Sequence, residues 1–441
     1  MIKKSSLFSI ISIMFLSMVT KIISMSSRII MSRSLGVEAV SIYSLVNPIF
    51  VFLITLVTFS LPTTISTLVS KYPNKAKKIF FTSLLICISL NFIFIIFLSF
   101  TYQFIAEHIF HNLDTLYSLK LLSIVVLLTT ISSLIKGYYM GKKELILTST
   151  SSLVEECSRL ISIILLIGYF DNLTNSVKAT FFILVLIIGE IIQTSYLLLS
   201  SGKTYLKKIK QLTTLLDSSN YIFSDIFKIS LPMTLSRIIT SFTYMVEPII
   251  ITNTLLYYGE KSNEITLKYG ILSSYVMPLL LLPGFFSLAI GNFLLPNLSS
   301  LIGKKDYHQA KKLFYKSLII TLIIGIFFSL MFFLYGDKLL NFIYHINQGQ
   351  EEIKLLSIPF LIYYIETPIN IAMHAINKTK TSFISSLCAS ILRILLLVTL
   401  SKYLSVFAVS IATLASCYLD VFINFFTIRH FFKRHNVKTI N

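Results

Sequence analysis

Five basic side chains lie in segments that are otherwise apolar enough to cross a membrane: Lys21, Arg28, Arg159, Arg237 and Arg393. Six acidic side chains lie in similar segments: Glu155, Glu156, Glu190, Glu247, Glu366 and Asp420. A charge at membrane depth is costly, so each of these groups needs a counter-charge, a water-filled cavity or a charged substrate. A cluster of cations suits a pyrophosphate, because guanidinium binds phosphate oxygens in bidentate geometry and lysine adds a point charge.

The amino-acid composition indicates that the segments with these charges lie in a membrane. The chain has 441 residues, of which 55% are hydrophobic and only 13% are charged. Its mean hydropathy of +0.81 is too high for a soluble globular protein. Apolar runs long enough to span a hydrocarbon core of about 30 Å as helices recur along the whole chain. The sequence therefore predicts an all-α polytopic membrane protein.

We predict twelve transmembrane helices. Their approximate limits are 7–31, 40–70, 79–102, 119–139, 148–170, 179–200, 226–256, 269–300, 313–336, 353–375, 382–402 and 406–430. The loops on one side carry 25 of the lysines and arginines and the loops on the other side carry eight. This asymmetry predicts that both termini are cytoplasmic, and it explains the net charge of +19 without nucleic-acid binding.

The two halves of the sequence are related by a tandem duplication. The segment LPTTISTLVSKYPNKAKKIFFTSLLI (61–86) matches LPNLSSLIGKKDYHQAKKLFYKSLII (295–320), and LKLLSIVV (119–126) matches IKLLSIPF (353–360) at the same separation along the chain. We call this constant separation, which also relates Pro62 to Pro296, the repeat offset. Coincidence at one offset in several segments is improbable, so the two halves are copies of one unit.

The duplication predicts the architecture. We expect two six-helix lobes, 1–200 and 226–441, around a central cavity that holds the substrate. Residues 201–225 would join them through an amphipathic helix in the cytoplasmic interface, although a solvated linker fits equally well. Paired prolines at 48/278 and 62/296 would bend helices 2 and 8.

The buried cations follow the duplication. Arg159 and Arg393 are separated by the repeat offset, and TKII (20–23) matches SRII (236–239), which makes Lys21 equivalent to Arg237. Glu155 precedes Arg159 by four residues, a favourable order for an ion pair, whereas Ala389 takes that place before Arg393. Arg393, Arg237 and Lys21 are therefore the stronger candidates for binding an external anion.

Arg28 lies two helical turns after Lys21, so one face of helix 1 offers two cations about 10 Å apart. Near the outer interface Arg28 also has the alternative of reaching lipid headgroups. For all the cations the competing interpretation is an ion pair with Glu156, Glu247 or Glu366 that only fixes the packing of helices.

The sequence gives little support for a metal site or for direct use of ATP. The four cysteines have no CxxC or histidine spacing for a metal site, and no GxxxxGK[ST] motif for ATP is present. We therefore expect no metal and no cofactor. A coupling ion, Na⁺ or H⁺, would bind a membrane acid, for which Glu155, Glu247 and Glu366 are the candidates.

The segments TKIISMSSRIIMSRSLGVEAVSIY, LVTFSLPTTISTLVSKY, GYYMGKKELILTSTSSLVEECSRL and SLPMTLSRIITSFTYMVEPIII together resemble the stage V sporulation protein B branch of the multidrug/oligosaccharidyl-lipid/polysaccharide exporter superfamily. Lipid II flippases belong to the same superfamily. The resemblance implies a multi-pass protein of the bacterial cytoplasmic membrane that moves undecaprenyl-pyrophosphate-linked glycan outward, with Lys21, Arg28 and Arg237 engaging the pyrophosphate. Lipid II flippases have fourteen helices, so the twelve predicted here favour a more general oligosaccharide-lipid flippase.

We therefore expect a flippase rather than an enzyme, working by alternating access on a lipid-linked glycan for the cell wall, a polysaccharide or the spore. The alternative is a cation-coupled multidrug exporter that uses the membrane acids. A membrane glycosyltransferase would need a carboxylate or metal motif in a long loop, and the loops near 201–225 and 337–352 have none.

Overall fold

In the computed structural model, residues 4–169, 173–200 and 219–436 are described, and every regular element in these ranges is helical. The α-helices are α1 Lys4–Thr58, α2 Leu61–Lys71, α3 Ala76–Phe104, α4 Leu116–Gly141, α5 Leu145–Leu166, α6 Asn175–Ser200, α7 Ser219–Tyr257, α8 Ser262–Ile271, α9 Met277–Leu281, α10 Gly284–Gly303, α11 Tyr307–Tyr344, α12 Gln350–Ser357, α13 Leu361–Ala375, α14 Thr379–Leu404 and α15 Phe407–Asn436.

All twelve predicted spans coincide with helices. Nine helices in the described chain are long and apolar enough to cross a membrane, or ten if the bent pair α12 and α13 is one span. The first of the nine, Phe15–Lys71, has 57 residues. At about 1.5 Å per residue it is more than twice as long as a hydrocarbon core is thick, so it accounts for two predicted spans. The remaining predicted span is α5, which carries Glu155, Glu156 and Arg159 and is less apolar for that reason. The protein is therefore an all-α polytopic membrane protein.

The first long helix is interrupted twice. Gly36 has a φ of 81°, a conformation that suits glycine, and it separates the first predicted span from the second. Phe59 and Ser60 have φ values of 47° and 50°, and they separate α1 from α2 just before Pro62. The corresponding second-half helix is interrupted as well, by a π-helical segment Leu272–Val276 ahead of Pro278 and by a turn at residues 282–283. Of the four prolines predicted to bend these helices, Pro62 and Pro278 lie just after a break, whereas Pro48 and Pro296 lie inside continuous helix.

The chain divides into two compact units, Met1–Ser241 and Phe242–Asn441, so the boundary lies inside α7. Each unit has its own apolar core, and the two cores use equivalent positions. Ala76 and Ile135 are buried in the first, and their counterparts at the repeat offset, Ala310 and Ile369, are buried in the second. Residues 201–218 of the predicted linker lie outside the described residues, so the amphipathic helix stays a prediction.

The two units build the same helix crossing with different side chains. In the first unit, Asn91 of α3 donates a hydrogen bond to Thr130 of α4 at 2.9 Å. The equivalent positions of the second unit are Gly325 of α11 and Tyr364 of α13, and a Cβ on Gly325 would lie 2.8 Å from the ring of Tyr364. A polar contact in one copy is thus replaced by a glycine-to-aromatic contact in the other.

Glycine also sets the distance between α2 and α4. A Cβ on Gly137 would overlap the carbonyl oxygen of Pro62, so the two backbones approach closely at this point. Small residues allow such contacts between membrane helices, where dispersion rather than the hydrophobic effect holds helices together. In the second unit Ile371 occupies the position equivalent to Gly137, and the space comes from Gly291 on α10, where a Cβ would overlap the Ile371 side chain.

We predict that Gly137→Ala lowers the thermal unfolding midpoint of the purified protein in detergent. The new methyl group meets backbone rather than a movable side chain, and overpacking of this kind costs about 1–3 kcal/mol. Gly168→Ala is the matched control, because nothing lies within 4 Å of a Cβ there. Equal midpoints for the two variants would contradict the close α2–α4 contact.

Candidate functional site

In the first unit, charged side chains from α4, α5 and α6 form one network. Arg159 on α5 contacts Glu155 and Glu156 of its own helix and Glu190 of α6, with 3.2 Å to Glu156 and 3.5 Å to Glu190. Lys136 of α4 lies 3.3 Å from Glu155, and its side chain is only 25% exposed. Two cations and three carboxylates therefore offset one another within the helix bundle, as buried charges require.

Neutral groups complete this network. The hydroxyl of Ser132 on α4 donates to Glu190 at 2.5 Å, and the amide of Gln193 on α6 donates to Glu155. The same amide donates to the backbone carbonyl of Ser151 on α5 at 3.2 Å. These contacts tie the three helices together.

A glycine makes room for the guanidinium of Arg159. A Cβ on Gly189 of α6 would lie 2.6 Å from Nε of Arg159, so Arg159 lies directly against the α6 backbone. The expected Glu155–Arg159 ion pair is confirmed, and it belongs to a larger network. Arg159 is thereby engaged inside its own unit.

In the second unit, Arg393 of α14 forms an ion pair with Glu247 of α7, and the hydroxyl of Tyr269 donates to Glu247 at 3.3 Å. The Glu247 side chain is 4% exposed and that of Arg393 is 19% exposed. Because Ala389 provides no carboxylate on α14, Arg393 takes its partner from another helix. The sequence favours an external anion for Arg393, whereas the structure gives it an internal one.

Two other carboxylates of the second unit, Glu366 of α13 and Asp420 of α15, have neutral partners. Glu366 accepts from the thiol of Cys417 at 3.4 Å and from the amide of Asn370 at 3.5 Å. Within the described part of the chain, neither acid has a lysine or arginine within ion-pair distance.

Asp420 accepts hydrogen bonds from its own helix and from a neighbouring one. The hydroxyl of Ser385 on α14 donates to it at 2.7 Å and the amide of Asn424 on α15 at 3.2 Å. Asn424 also donates to Asn370 at 2.9 Å, which links Asp420 to the partners of Glu366. The acids of α13 and α15 thus belong to one polar cluster.

The duplication relates this cluster to the network of the first unit. Four positions contribute groups to both, each pair separated by the repeat offset: Ser132/Glu366, Lys136/Asn370, Ser151/Ser385 and Glu190/Asn424. Each copy therefore places polar groups at the same sites on three helices. The first copy mixes both signs of charge there, and the second contains only acids and neutral groups.

The remaining predicted cations, Lys21 and Arg28 of α1 and Arg237 of α7, are exposed. Among the described residues no carboxylate lies within ion-pair distance of any of them. Glu156 is nevertheless near enough to interact with the charge of Lys21 and with the hydroxyl of Ser24.

Sequence reasoning misses several members of the two clusters. Lys136 counts as a loop cation by sequence, but it lies in α4 and is paired with Glu155. Asn370, Ser385 and Asn424 do not stand out, because neutral side chains carry no cost that reveals them. The duplication is the signal that points to them, since each aligns with a residue of the first network.

The sequence model of the family described as polysaccharide biosynthesis protein matches residues 6–302. A second family model, MatE, matches residues 271–399. The chain is 26% identical over 399 residues to stage V sporulation protein B of Bacillus subtilis (strain 168), and the match covers 89% of this chain and 77% of that protein.

Two solved structures share the fold. The inward-facing conformation of a multidrug resistance MATE family transporter has a TM-score of 0.72 and 11% identity, covering 97% of this chain and 98% of the other. The lipid II flippase MurJ in an inward closed conformation has a TM-score of 0.69 and 16% identity, covering 95% of this chain and 87% of the other. The chain therefore shares its fold with a multidrug resistance transporter and with a lipid II flippase.

We predict that Arg393→Met destabilises the protein by about 3–5 kcal/mol, because it leaves the Glu247 carboxylate buried without its cation. Replacing both members, as in Glu247→Met with Arg393→Met, should recover most of this loss. Lys268→Gln is the control, since the Lys268 side chain is 50% exposed in its pair with Glu260. It should change stability by less than about 1 kcal/mol. Unfolding in detergent measures all three. A single Arg393→Met variant as stable as the double variant would show that the pair is unimportant.

Proposed function

The chain belongs to the polysaccharide biosynthesis protein family, and on this premise we propose that it is a flippase for a glycan linked to undecaprenyl pyrophosphate. It would move the lipid-linked glycan from the cytoplasmic to the outer leaflet of the bacterial cytoplasmic membrane. Alternating access suits a transporter made of two parallel six-helix repeats. The glycan would serve the cell wall, a surface polysaccharide or the spore.

The observation that carries the proposal is the division of the membrane cations into two groups. Arg159 and Arg393 are held by carboxylates of their own units. Lys21, Arg28 and Arg237 are exposed in segments that cross the membrane. Cations in such segments are costly without a counter-charge, and a pyrophosphate supplies two or more negative charges in one headgroup. We therefore assign headgroup binding to Lys21, Arg28 and Arg237, and a supporting role to Arg159 and Arg393.

The candidate acids for the coupling site also differ in whether an internal cation already balances them. Of the three acids considered, Glu155 and Glu247 are already paired with arginines. Among the residues that the structure describes, Glu366 has only neutral partners, with Asp420 near it. A carboxylate without an internal cation is the one that gains most from binding Na⁺ or H⁺. We propose that Glu366, with Asp420, binds the coupling ion.

A cation-coupled multidrug exporter is the second candidate, and the MatE match in the second half of the chain favours it. That half contains the acidic cluster that an exporter of this kind would use. The two functions differ in what accumulates: loss of an exporter sensitises cells to drugs, whereas loss of the flippase leaves lipid-linked glycan in the cytoplasmic leaflet. For either function we propose that both termini are cytoplasmic, as the lysine and arginine asymmetry of the loops indicates.

We predict that Lys21→Gln and Arg237→Gln each slow outward movement of lipid-linked glycan by roughly tenfold or more, because each removes a charge-assisted contact worth about 1.5–3 kcal/mol. The measurement is the leaflet distribution of the lipid in a deletion strain that carries each variant. Lys120→Gln, at an exposed lysine of α4, is the control for loss of a positive charge. Normal translocation in both variants, or altered drug sensitivity without glycan accumulation, would refute the flippase assignment.

We predict that Glu366→Gln abolishes the stimulation of transport by an ion gradient and leaves headgroup binding within about twofold. The amide cannot exchange a proton or balance a bound cation. Transport in proteoliposomes under an imposed Na⁺ or H⁺ gradient separates the two ions, and Glu260→Gln, an acid of the exposed Lys268 pair, is the control. Full stimulation of the Glu366→Gln variant by either gradient would place the coupling site elsewhere.

A further inference from the structure

Glu156 of α5 lies against the face of α1 that carries the exposed cations. Lys21, Ser24 and Arg28 are separated by three and four residues, so they form one stripe along α1. Helices α1 and α5 pack against each other, and the Glu156 carboxylate of α5 interacts with the Ser24 hydroxyl, in the middle of this stripe, and with the charge of Lys21. The carboxylate is therefore on the surface that we assign to the anionic headgroup.

The same carboxylate reaches the buried network on its other side. Its Oε1 is 3.2 Å from Nη1 of Arg159, and its side chain is 14% exposed. Glu155 next to it is directed into the network, toward Lys136 and Arg159. Glu156 thus lies between the α1 stripe and Arg159. The second repeat has no equivalent acid, since the corresponding position is Ser390.

An acid at this place has no obvious use in a site built only to bind an anion. It repels a phosphate and lowers affinity for it, because like charges close together in a protein are unfavourable. It does, however, place a negative charge near Lys21, beyond ion-pair distance, when no headgroup is present. Such an internal competitor weakens binding of the substrate and helps its release, which is an advantage in a transporter that must give up its substrate each cycle.

We propose that Glu156 is an internal counter-anion for Lys21 and Arg159, which a diphosphate headgroup displaces on binding and which returns to promote release. This inference rests on the proposed function, since it takes Lys21 as part of the headgroup site. Glu156 acts through Lys21 and is a positioning residue. Removing its charge therefore has opposite effects on binding and on turnover.

The test measures binding and transport of undecaprenyl diphosphate by the full-length protein, with binding followed by native mass spectrometry. Glu156→Gln should lower the Kd about tenfold and reduce the transport rate at saturating lipid several-fold. In a Lys21→Gln background the same change should lower the Kd less than twofold, because Lys21, the headgroup-binding cation for which Glu156 competes, has lost its charge. Ser390→Ala, at the equivalent position of the second repeat, should leave both quantities unchanged.

A purely structural role predicts weaker binding and slower transport together, so an unchanged or higher Kd for Glu156→Gln overturns the inference. Equal effects of Glu156→Gln with and without Lys21 overturn it too. If Lys21→Gln itself leaves the Kd unchanged, the headgroup site of the proposed function is wrong, and the two failures are thereby distinguished.

A second variant tests the inference if Glu156→Gln does not fold. Ser24→Ala removes one polar group that interacts with the Glu156 carboxylate and keeps the charge of Glu156. The Glu156 carboxylate is then held less closely to the α1 stripe. We expect the Kd to decrease by less than in Glu156→Gln, and an unchanged Kd would contradict the inference.

Discussion

The cost of placing a charge in hydrocarbon governs the interior of this protein. Helix formation satisfies the hydrogen bonds of the backbone within each span. A charged side chain instead needs a partner on another turn or another helix. Arg159 meets carboxylates from α5 and α6, and Arg393 meets one from α7. These pairs decide which helix faces contact each other within a unit. In the described part of the chain they also leave a few charged side chains without an ion-pair partner.

The duplication shows that one arrangement of helices can balance its buried charges with different side chains. Arg159 and Arg393 are equivalent, but Glu155 is replaced by Ala389, and the second arginine pairs with α7 instead. The four shared polar positions hold a mixed set of charges in the first unit and a set without cations in the second. Packing varies in the same way, since the contact between Gly137 and the α2 backbone is replaced by one that uses a glycine of α10. The frame of helices persists while the side chains at the crossings change.

The helices are predictable because each span needs a long apolar run, which a sequence shows directly. The breaks at Gly36 and near Pro62 also have local causes, namely glycine conformation and the missing N–H of proline. The ion pairs are only partly predictable. Glu155 and Arg159 are neighbours on one helix, whereas the partner of Arg393 depends on how two helices pack, which no local pattern reveals. The same holds for Lys136, because a lysine near the end of a span is ordinarily solvated and its pairing with α5 has no local signal.

The net charge of the membrane side chains discussed above differs in sign between the two units. Among the membrane charges discussed above, the cations of the first unit outnumber its three acids, Glu155, Glu156 and Glu190, by two; these cations are Lys21, Arg28, Lys136, Arg159 and Arg237. In the second unit Arg393 stands against Glu247, Glu366 and Asp420, which leaves two negative charges. Under the proposed function, the excess of positive charge in the first unit would attract an anionic headgroup, and the excess of negative charge in the second would attract a coupling cation. A duplicated protein that had kept identical charges in both copies would offer one kind of site twice. The divergence of the copies therefore gives the proposed headgroup site and the proposed coupling site opposite charges.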